Sequence, residues 1–454
     1  MTLAATTPSP GWHGSSTGPG HSQIPHGVQD RFLAEAARQR EAEATLRECF
    51  ARWSYQEVIP PTLEYYENLT VGASAELQQA LYRFFDREGR TLALRADFTP
   101  QVARMAATKL FGQPMPLRCF YMGSLFRHEE PQAGRQREFT QAGAELIGAD
   151  TPAADAEVVA LAIAALEALK LDDFQINLGQ MAFFRALTSD LPAETLDSIR
   201  EAIDQKNSAR LADALHQAGV TGAQRELLHR LPDLIGGTEV LDEARASSAC
   251  LAGAAGAVAA IERLAQVYHL LHAYGVADRV ILDLGEVRGM DYYTGITFRG
   301  VAPGLGWPIV SGGRYDELIA QFGRRLAAVG FGLGMERALL VQTSQGSPSP
   351  PLAPHVLARG CDHPACLTLI ARLRQRGCRV RIDVLELDET ELADQARQRG
   401  IPRTLRCVGD LVRPNLCVEL KPGGTDHEAW LLTDERGERA LTGAALLQEA
   451  EKWR

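Results

Sequence analysis

The order of apolar and polar positions changes character several times along this chain. From Phe32 to Trp53, apolar residues at Phe32, Ala36, Leu46, Phe50 and Trp53 recur among charged ones, which predicts an amphipathic helix over about 33–53. The pattern then shortens. Residues 56–63 (QEVIPPTL) read as a strand ending on prolines, suited to a sheet edge or a dimer interface. Residues 81–86 and 90–94 read as two strands around Glu88-Gly89, and Pro100 or Gln101 begins a helix. Leu117 to His128 and Gln136 to Glu145 form a further strand pair, joined by a loop with Pro131 and Gly134. In the second of these strands, a period of two puts Arg137, Phe139, Gln141, Gly143 and Glu145 on one face and Glu138, Thr140, Ala142 and Ala144 on the other. One face of a hairpin therefore presents an amide and a carboxylate side by side.

Thr151-Pro152 caps an apolar helix to about Leu169, with Asp155 and Glu157 in its first turn where the helix dipole favours acids. After a strand near Phe174–Leu178 the pattern turns short, Leu-rich and helical, predicting a helical insertion over about 183–252. Strands return over 280–298, and 328–334 is a glycine-rich strand running into a helix at Met335. A Ser/Pro linker over 343–354 closes a domain that begins near residue 23, after a Gly/Ser/Thr/Pro-rich tail at 1–22 expected to be disordered. Beyond it, strands near 356–360, 378–387, 404–409 and 415–422 alternate with helices at 365–375 and 389–399, giving a small α/β domain over 355–454.

Composition narrows the functional classes. No apolar run has the length of a membrane span and no secretory pattern opens the chain, so no membrane association and a cytoplasmic location are expected. The eight cysteines suggest reduced thiols; Cys361, His363 and Cys366 lack a matching second pair, so no metal is expected. The net charge is −10, and residues 351–454 hold 16 Lys and Arg against 16 Asp and Glu. A neutral terminal domain without a basic, aromatic-rich surface is an unpromising tRNA reader.

Composition alone would make the hairpin at 117–145 an ordinary solvated one. Its wording, FRHEEPQAGRQREFTQ, closely resembles the second signature motif of class II aminoacyl-tRNA synthetases in its histidyl-tRNA synthetase form. Three further stretches fit the same family: IPHGVQDRF at the start, RGMDYYTG with SGGRYD, and AVGFGLGMER. The resemblance implies an α+β fold, a class II synthetase-like antiparallel sheet flanked by helices, dimeric through the first motif. It implies that Arg127 and Arg337 occupy positions that hold nucleotide phosphates. By the same likeness Gln141, Glu145, Tyr292 and Tyr293 shape a histidine pocket, Asp97 and Thr99 meet the α-amino group, and Arg288 attends the carboxylate. Guanidinium groups clamp phosphate bidentately, and an acceptor-rich face suits an imidazole N–H and an ammonium group.

The chain departs from the synthetases at Arg95-Ala96-Asp97-Phe98-Thr99, where their glutamate is replaced by the shorter Asp97, and at Glu130, Gln136 and Thr140. RADFTPQVAR and AGAELIG are instead similar to the ATP phosphoribosyltransferase regulatory subunits, non-synthetase paralogues acting in histidine biosynthesis. That likeness implies a non-catalytic subunit with no catalytic residues or cofactor of its own. It also implies L-histidine as an allosteric feedback effector, a short-form catalytic subunit as partner in a hetero-oligomer, vestigial phosphate contacts at Arg127 and Arg337, and a terminal domain resembling a degenerate anticodon-binding domain. The retained arginines keep a divergent histidyl-tRNA synthetase, or an amidoligase-type adenylating paralogue, as alternatives. They could also persist as ion-pair partners of Glu129 or Glu336.

Overall fold

The computed structural model describes residues 23–132, 135–249, 251, 254–287, 292–346, 353–359, 364–407 and 429–453. The chain divides into two compact units, with the boundary between Pro348 and Ser349.

The first unit is built on a nine-stranded sheet. In chain order, its first strand is β1 (Gln56–Glu57); a separate three-stranded sheet of β2 (Leu63–Tyr65), β3 (Arg83–Phe85) and β4 (Thr91–Leu94) follows. The main sheet continues with β5 (Leu117–Phe126), β6 (Glu138–Ile147), β7 (Gln175–Gln180), β8 (Ile235–Gly236), β9 (Val280–Asp283), β10 (Ile296–Val301), β11 (Val310–Arg314) and β12 (Ala328–Gly334). Its spatial order is β1-β5-β6-β12-β11-β10-β7-β9-β8. Every pairing from β5 through β7 is antiparallel, while β1 against β5 and β9 against β7 are parallel. This is the antiparallel, helix-flanked sheet that the sequence resemblance implies.

Helix Pro152–Ala168 explains much of the packing. Thr151 caps it, its hydroxyl accepting from the Ala154 N–H, and Pro152 opens it. Nearly all its apolar side chains are buried, in one cluster with helix Ala254–Ala273 and strands β6, β7, β9, β10 and β12. Helices Ala193–Asp204, Ser208–Gln217, Gly222–Arg230 and Glu239–Ser248 lend Ile199, Leu211, Leu215, Leu228 and Leu241 to that cluster. Only Asp155 falls in the first turn of helix Pro152–Ala168, with Glu157 in the next, and both acids do more than meet its dipole. Asp155 is fully buried and takes guanidinium groups from Arg263 and Arg314, while Glu157 pairs with Arg118 and accepts from Tyr55.

Several boundaries differ from the sequence pattern. The stretch 56–63 is divided between two sheets: Gln56 and Glu57 pair with β5 and Leu63 with β4, because Pro60 and Pro61 interrupt the ladder between them. Tyr292 and Tyr293 precede β10 and are not strand residues. Helix Met335–Ser344 runs into the stretch assigned to the linker, of which 347–352 lie outside the described residues, as do the tail 1–22, Cys361 and His363. Among the described residues no helix is long and apolar enough to cross a membrane.

The second unit has its own five-stranded sheet, in the order β14-β13-β15-β16-β17: β13 (Val356–Ala358), β14 (Val380–Ile382), β15 (Thr404–Cys407), β16 (Ala429–Asp434) and β17 (Gly437–Thr442). Helices Pro364–Gln375, Glu389–Gln398 and Gly443–Glu449 cover it, and Trp430, Leu432, Leu446 and Trp453 fill its core. The strand expected near 415–422 lies outside the described residues.

Candidate functional site

The site grows out from β6. Phe139, Gln141 and Glu145 share the face that the period of two assigns them, and that face forms the floor of a cavity of about 340 Å³. Neighbouring strands make room for these side chains by having none of their own. Gly330 on β12 pairs opposite Glu145, and a Cβ there would overlap the glutamate's Oε2; a Cβ on Gly332 would meet the Gln141 amide. On the other side, Gly143 pairs with Tyr121 of β5 and leaves the space that the phenol fills.

Glu145 is the centre of a closed hydrogen-bond set. Thr99 Oγ1 donates to its Oε1 at 2.9 Å, Tyr121 Oη to the same oxygen at 3.3 Å and Tyr315 Oη to Oε2 at 2.6 Å. Burial nevertheless disfavours the charge strongly, and nearby Asp97 adds to the effect, so the carboxyl is pushed up to about 8. Asp97 is also buried and raised, though the Arg127 charge offsets part of the burial. Its oxygens accept from Tyr292 Oη at 3.2 Å and from the Thr99 N–H at 3.4 Å. Thr99, in the first turn of helix Thr99–Ala107, thus bridges the two acids. The rings of Tyr292, Tyr293 and Tyr315 meet edge-on, with Tyr292 5.1 Å from Tyr293 and 5.7 Å from Tyr315. Gln141 Oε1 is buried without a donor, an acceptor left open in the cavity wall.

The far end of the cavity is cationic. Arg127 donates to the Ala96 carbonyl at 2.9 Å and lies over the Phe139 ring. Arg337 donates to the Pro308 carbonyl at 2.8 Å; burial, with Arg127 nearby, lowers its proton affinity. Arg135 pairs with Glu129 and lies over Trp307. Glu336 accepts from Arg31 at 2.6 Å and from the Thr140 N–H at 2.8 Å. Glu129 thus pairs with Arg135 and Glu336 with Arg31, so each of these acids has an arginine partner besides Arg127 and Arg337. In the side wall, Arg299 reaches Glu286, a buried acid pushed up to about 7 mainly by burial, and Asp204 at 3.5 Å.

Of the residues singled out in the sequence, Asp97, Thr99, Gln141, Glu145, Tyr292, Tyr293, Arg127 and Arg337 all line this one cavity. Arg288 lies outside the described residues. Sequence reasoning missed Tyr121 and Tyr315 as wall residues. For Tyr121 the signal was Gly143, a gap between two ligand-like side chains that a neighbouring strand must fill. For Tyr315 it was the GGRYD wording itself, read only for its glycines. Among the described residues no group of His, Cys, Asp or Glu is arranged to hold a metal ion.

The profile of the histidyl-tRNA synthetase family matches residues 27–338. The chain is 43% identical to the ATP phosphoribosyltransferase regulatory subunit of Moorella thermoacetica over 390 residues, covering 86% of this chain and 98% of that protein. It is 41% identical to the protein of the same name from Symbiobacterium thermophilum, covering 85% and 96%. A crystal structure from Bacillus halodurans, described as an ATP phosphoribosyltransferase regulatory subunit/histidyl-tRNA synthetase, superposes with a TM-score of 0.75 at 30% identity, covering 86% of this chain and 99% of that one. The histidyl-tRNA synthetase of Nostoc sp. PCC 7120 shares the fold, with a TM-score of 0.76 at 22% identity over 95% of this chain and 99% of its own.

Proposed function

Because the chain belongs to the histidyl-tRNA synthetase family, and within it to the ATP phosphoribosyltransferase regulatory subunits, we propose that its cavity binds free L-histidine and reports it to a separate catalytic subunit. The reading makes the chain a feedback sensor for the first step of histidine biosynthesis. The supporting observation is the convergence of Asp97, Thr99, Gln141, Glu145, Tyr292 and Tyr293, from well-separated segments, on one cavity. In this reading the ligand ammonium group meets Asp97, Thr99 and the open Gln141 oxygen, and its imidazole enters among the tyrosines to donate to Glu145. Both recognition elements are buried acceptors, so a ligand that offers no donor would leave them unpaired, at about 1–3 kcal/mol each.

The chain contributes no group to the transfer chemistry in this reading, and Arg127 and Arg337 are inherited phosphate contacts. The synthetase-like unit forms a homodimer, the short-form catalytic subunit completes a hetero-oligomer, and tRNA is not a partner. Coupling between histidine and the partner's substrates, typically about 1–3 kcal/mol, is reciprocal. The second reading, an adenylating synthetase-like enzyme, draws on the presence of both arginines in the same cavity as the acids.

One reconstitution separates the two. Phosphoribosyl-ATP formation is measured with the short catalytic subunit alone, with this chain added, and with L-histidine added to both. Activity that requires this chain and falls with histidine is the expected result. Histidine-dependent exchange of pyrophosphate into ATP by this chain alone, without any effect on the transferase, would overturn it.

A further inference from the structure

Three of the four tyrosines that shape the cavity lie just beyond the ends of their strands. Tyr292 and Tyr293 precede the first residue of β10, Ile296, and Tyr315 follows the last residue of β11. A buried polar network joins these two segments from behind. Arg314, only 2% exposed, reaches Asp155 Oδ1 through Nε at 2.8 Å and through Nη2 at 2.6 Å, while its Nη1 contacts Asp316 Oδ1 at 2.9 Å. Asp155 is held in turn by Arg263 Nε at 2.8 Å, which ties the network to helix Ala254–Ala273. Asp316 Oδ1 also accepts from the Ala328 N–H at 3.1 Å.

Thr294 is the point where this framework grips the other tyrosine segment. Its N–H donates to the Arg314 carbonyl at 2.7 Å, its hydroxyl accepts from the Asp316 N–H at 3.0 Å, and the same hydroxyl donates to Asp316 Oδ2 at 3.2 Å. Next to it, Gly295 has no side chain where the Arg314 stem passes. Tyr315 lies between the two network residues and points the other way, onto Glu145.

We infer that Thr294, held by Arg314 and Asp316, is a specificity-positioning residue for the cavity. It fixes the spacing of Tyr292 and Tyr293 against Tyr315, and so the angle from which Tyr315 addresses Glu145. The inference rests on the histidine reading of the site. Packing would keep the fold when the Thr294 hydroxyl is lost; the register of the two tyrosine segments would loosen, because the hydroxyl's bonds to Asp316 join them beyond the paired ends of β10 and β11.

Removing Arg314 would take one of two arginines from the buried Asp155 and threaten folding, so the test uses Thr294→Val, which preserves shape, and Thr294→Ser, which preserves the hydroxyl. Calorimetric titration of the full chain compares L-histidine with β-(2-thienyl)-L-alanine, an isostere without ring N–H. The expected result is about a tenfold drop in histidine-over-thienylalanine discrimination in Thr294→Val, with Thr294→Ser within about twofold of wild type. Unchanged discrimination in Thr294→Val, whatever its melting temperature, overturns the positioning role alone. A wild-type chain that binds neither ligand sinks the histidine reading beneath it, and the positioning role with it.

Discussion

The two ends of the cavity hold their charged groups in different ways. At the acidic end, side chains hold side chains: Thr99, Tyr121, Tyr292 and Tyr315 donate hydroxyls to Asp97 and Glu145, whose burial works against ionisation. At the cationic end, Arg127 and Arg337 donate to main-chain carbonyls, and Arg127 also lies against an aromatic ring. A hydroxyl-to-carboxylate set is matched in shape to one arrangement and loses it when any member changes. A guanidinium carries five N–H bonds in a planar fork and does not depend on one partner to keep its charge. The acidic end is thus built for selectivity, and the cationic end for retained charge.

That contrast can be tested in four ways. Glu145→Gln removes the acceptor that three hydroxyls address and should weaken L-histidine binding by about 100-fold, near 3 kcal/mol, as measured by calorimetry; unchanged affinity would remove Glu145 from the site. Tyr315→Phe deletes only the 2.6 Å bond, and about a tenfold loss is expected in the same titration.

The third test is pH. The folded Glu145 titrates near 8, far above an unfolded glutamate, so between those values the folded state keeps a proton that the unfolded chain has released. Stability without ligand therefore falls as pH rises from about 5 to 8, by at most about 1.4 kcal/mol per unit from this group, and levels off above. Denaturation curves of wild type and Glu145→Gln should diverge across that window; parallel curves would mean the carboxyl is not protonated in the fold. The smallest effect belongs to the other end. Arg337→Ala should leave histidine affinity within about twofold, and a tenfold loss would mean that the arginines take part in recognition after all.

Much of the acidic end is legible in the amino-acid sequence, because strand periodicity assigns Gln141 and Glu145 to one face and the motif wording brings Asp97, Thr99, Tyr292 and Tyr293 to it. The main strands and helices are legible because alternation and capping are local signals, as Thr151-Pro152 and the glycine strand that runs into Met335 illustrate. What is not legible depends on pairing between distant segments. Nothing local in Tyr121 says that Gly143 will face it across two strands. Nothing in Asp155 says that arginines 108 and 159 positions away will claim it. The partners of Glu129 and Glu336 escape the pattern because Arg135 and Arg31 stand in the motifs beside other arginines that the sequence alone does not distinguish from them.

The bare backbone of Gly330 gives the cavity an unusual genetic property. One added methyl group would occupy the space of Glu145 Oε2 and force that carboxyl out of its place without changing any side chain of the wall. In a cell relying on this chain as its histidine sensor, such a change would leave flux into the pathway running unchecked at high histidine. Growth on a toxic histidine analogue would then select for it, and mutants that outgrow their parents on such plates would cluster at the glycines of β12 as well as at the acids they shelter.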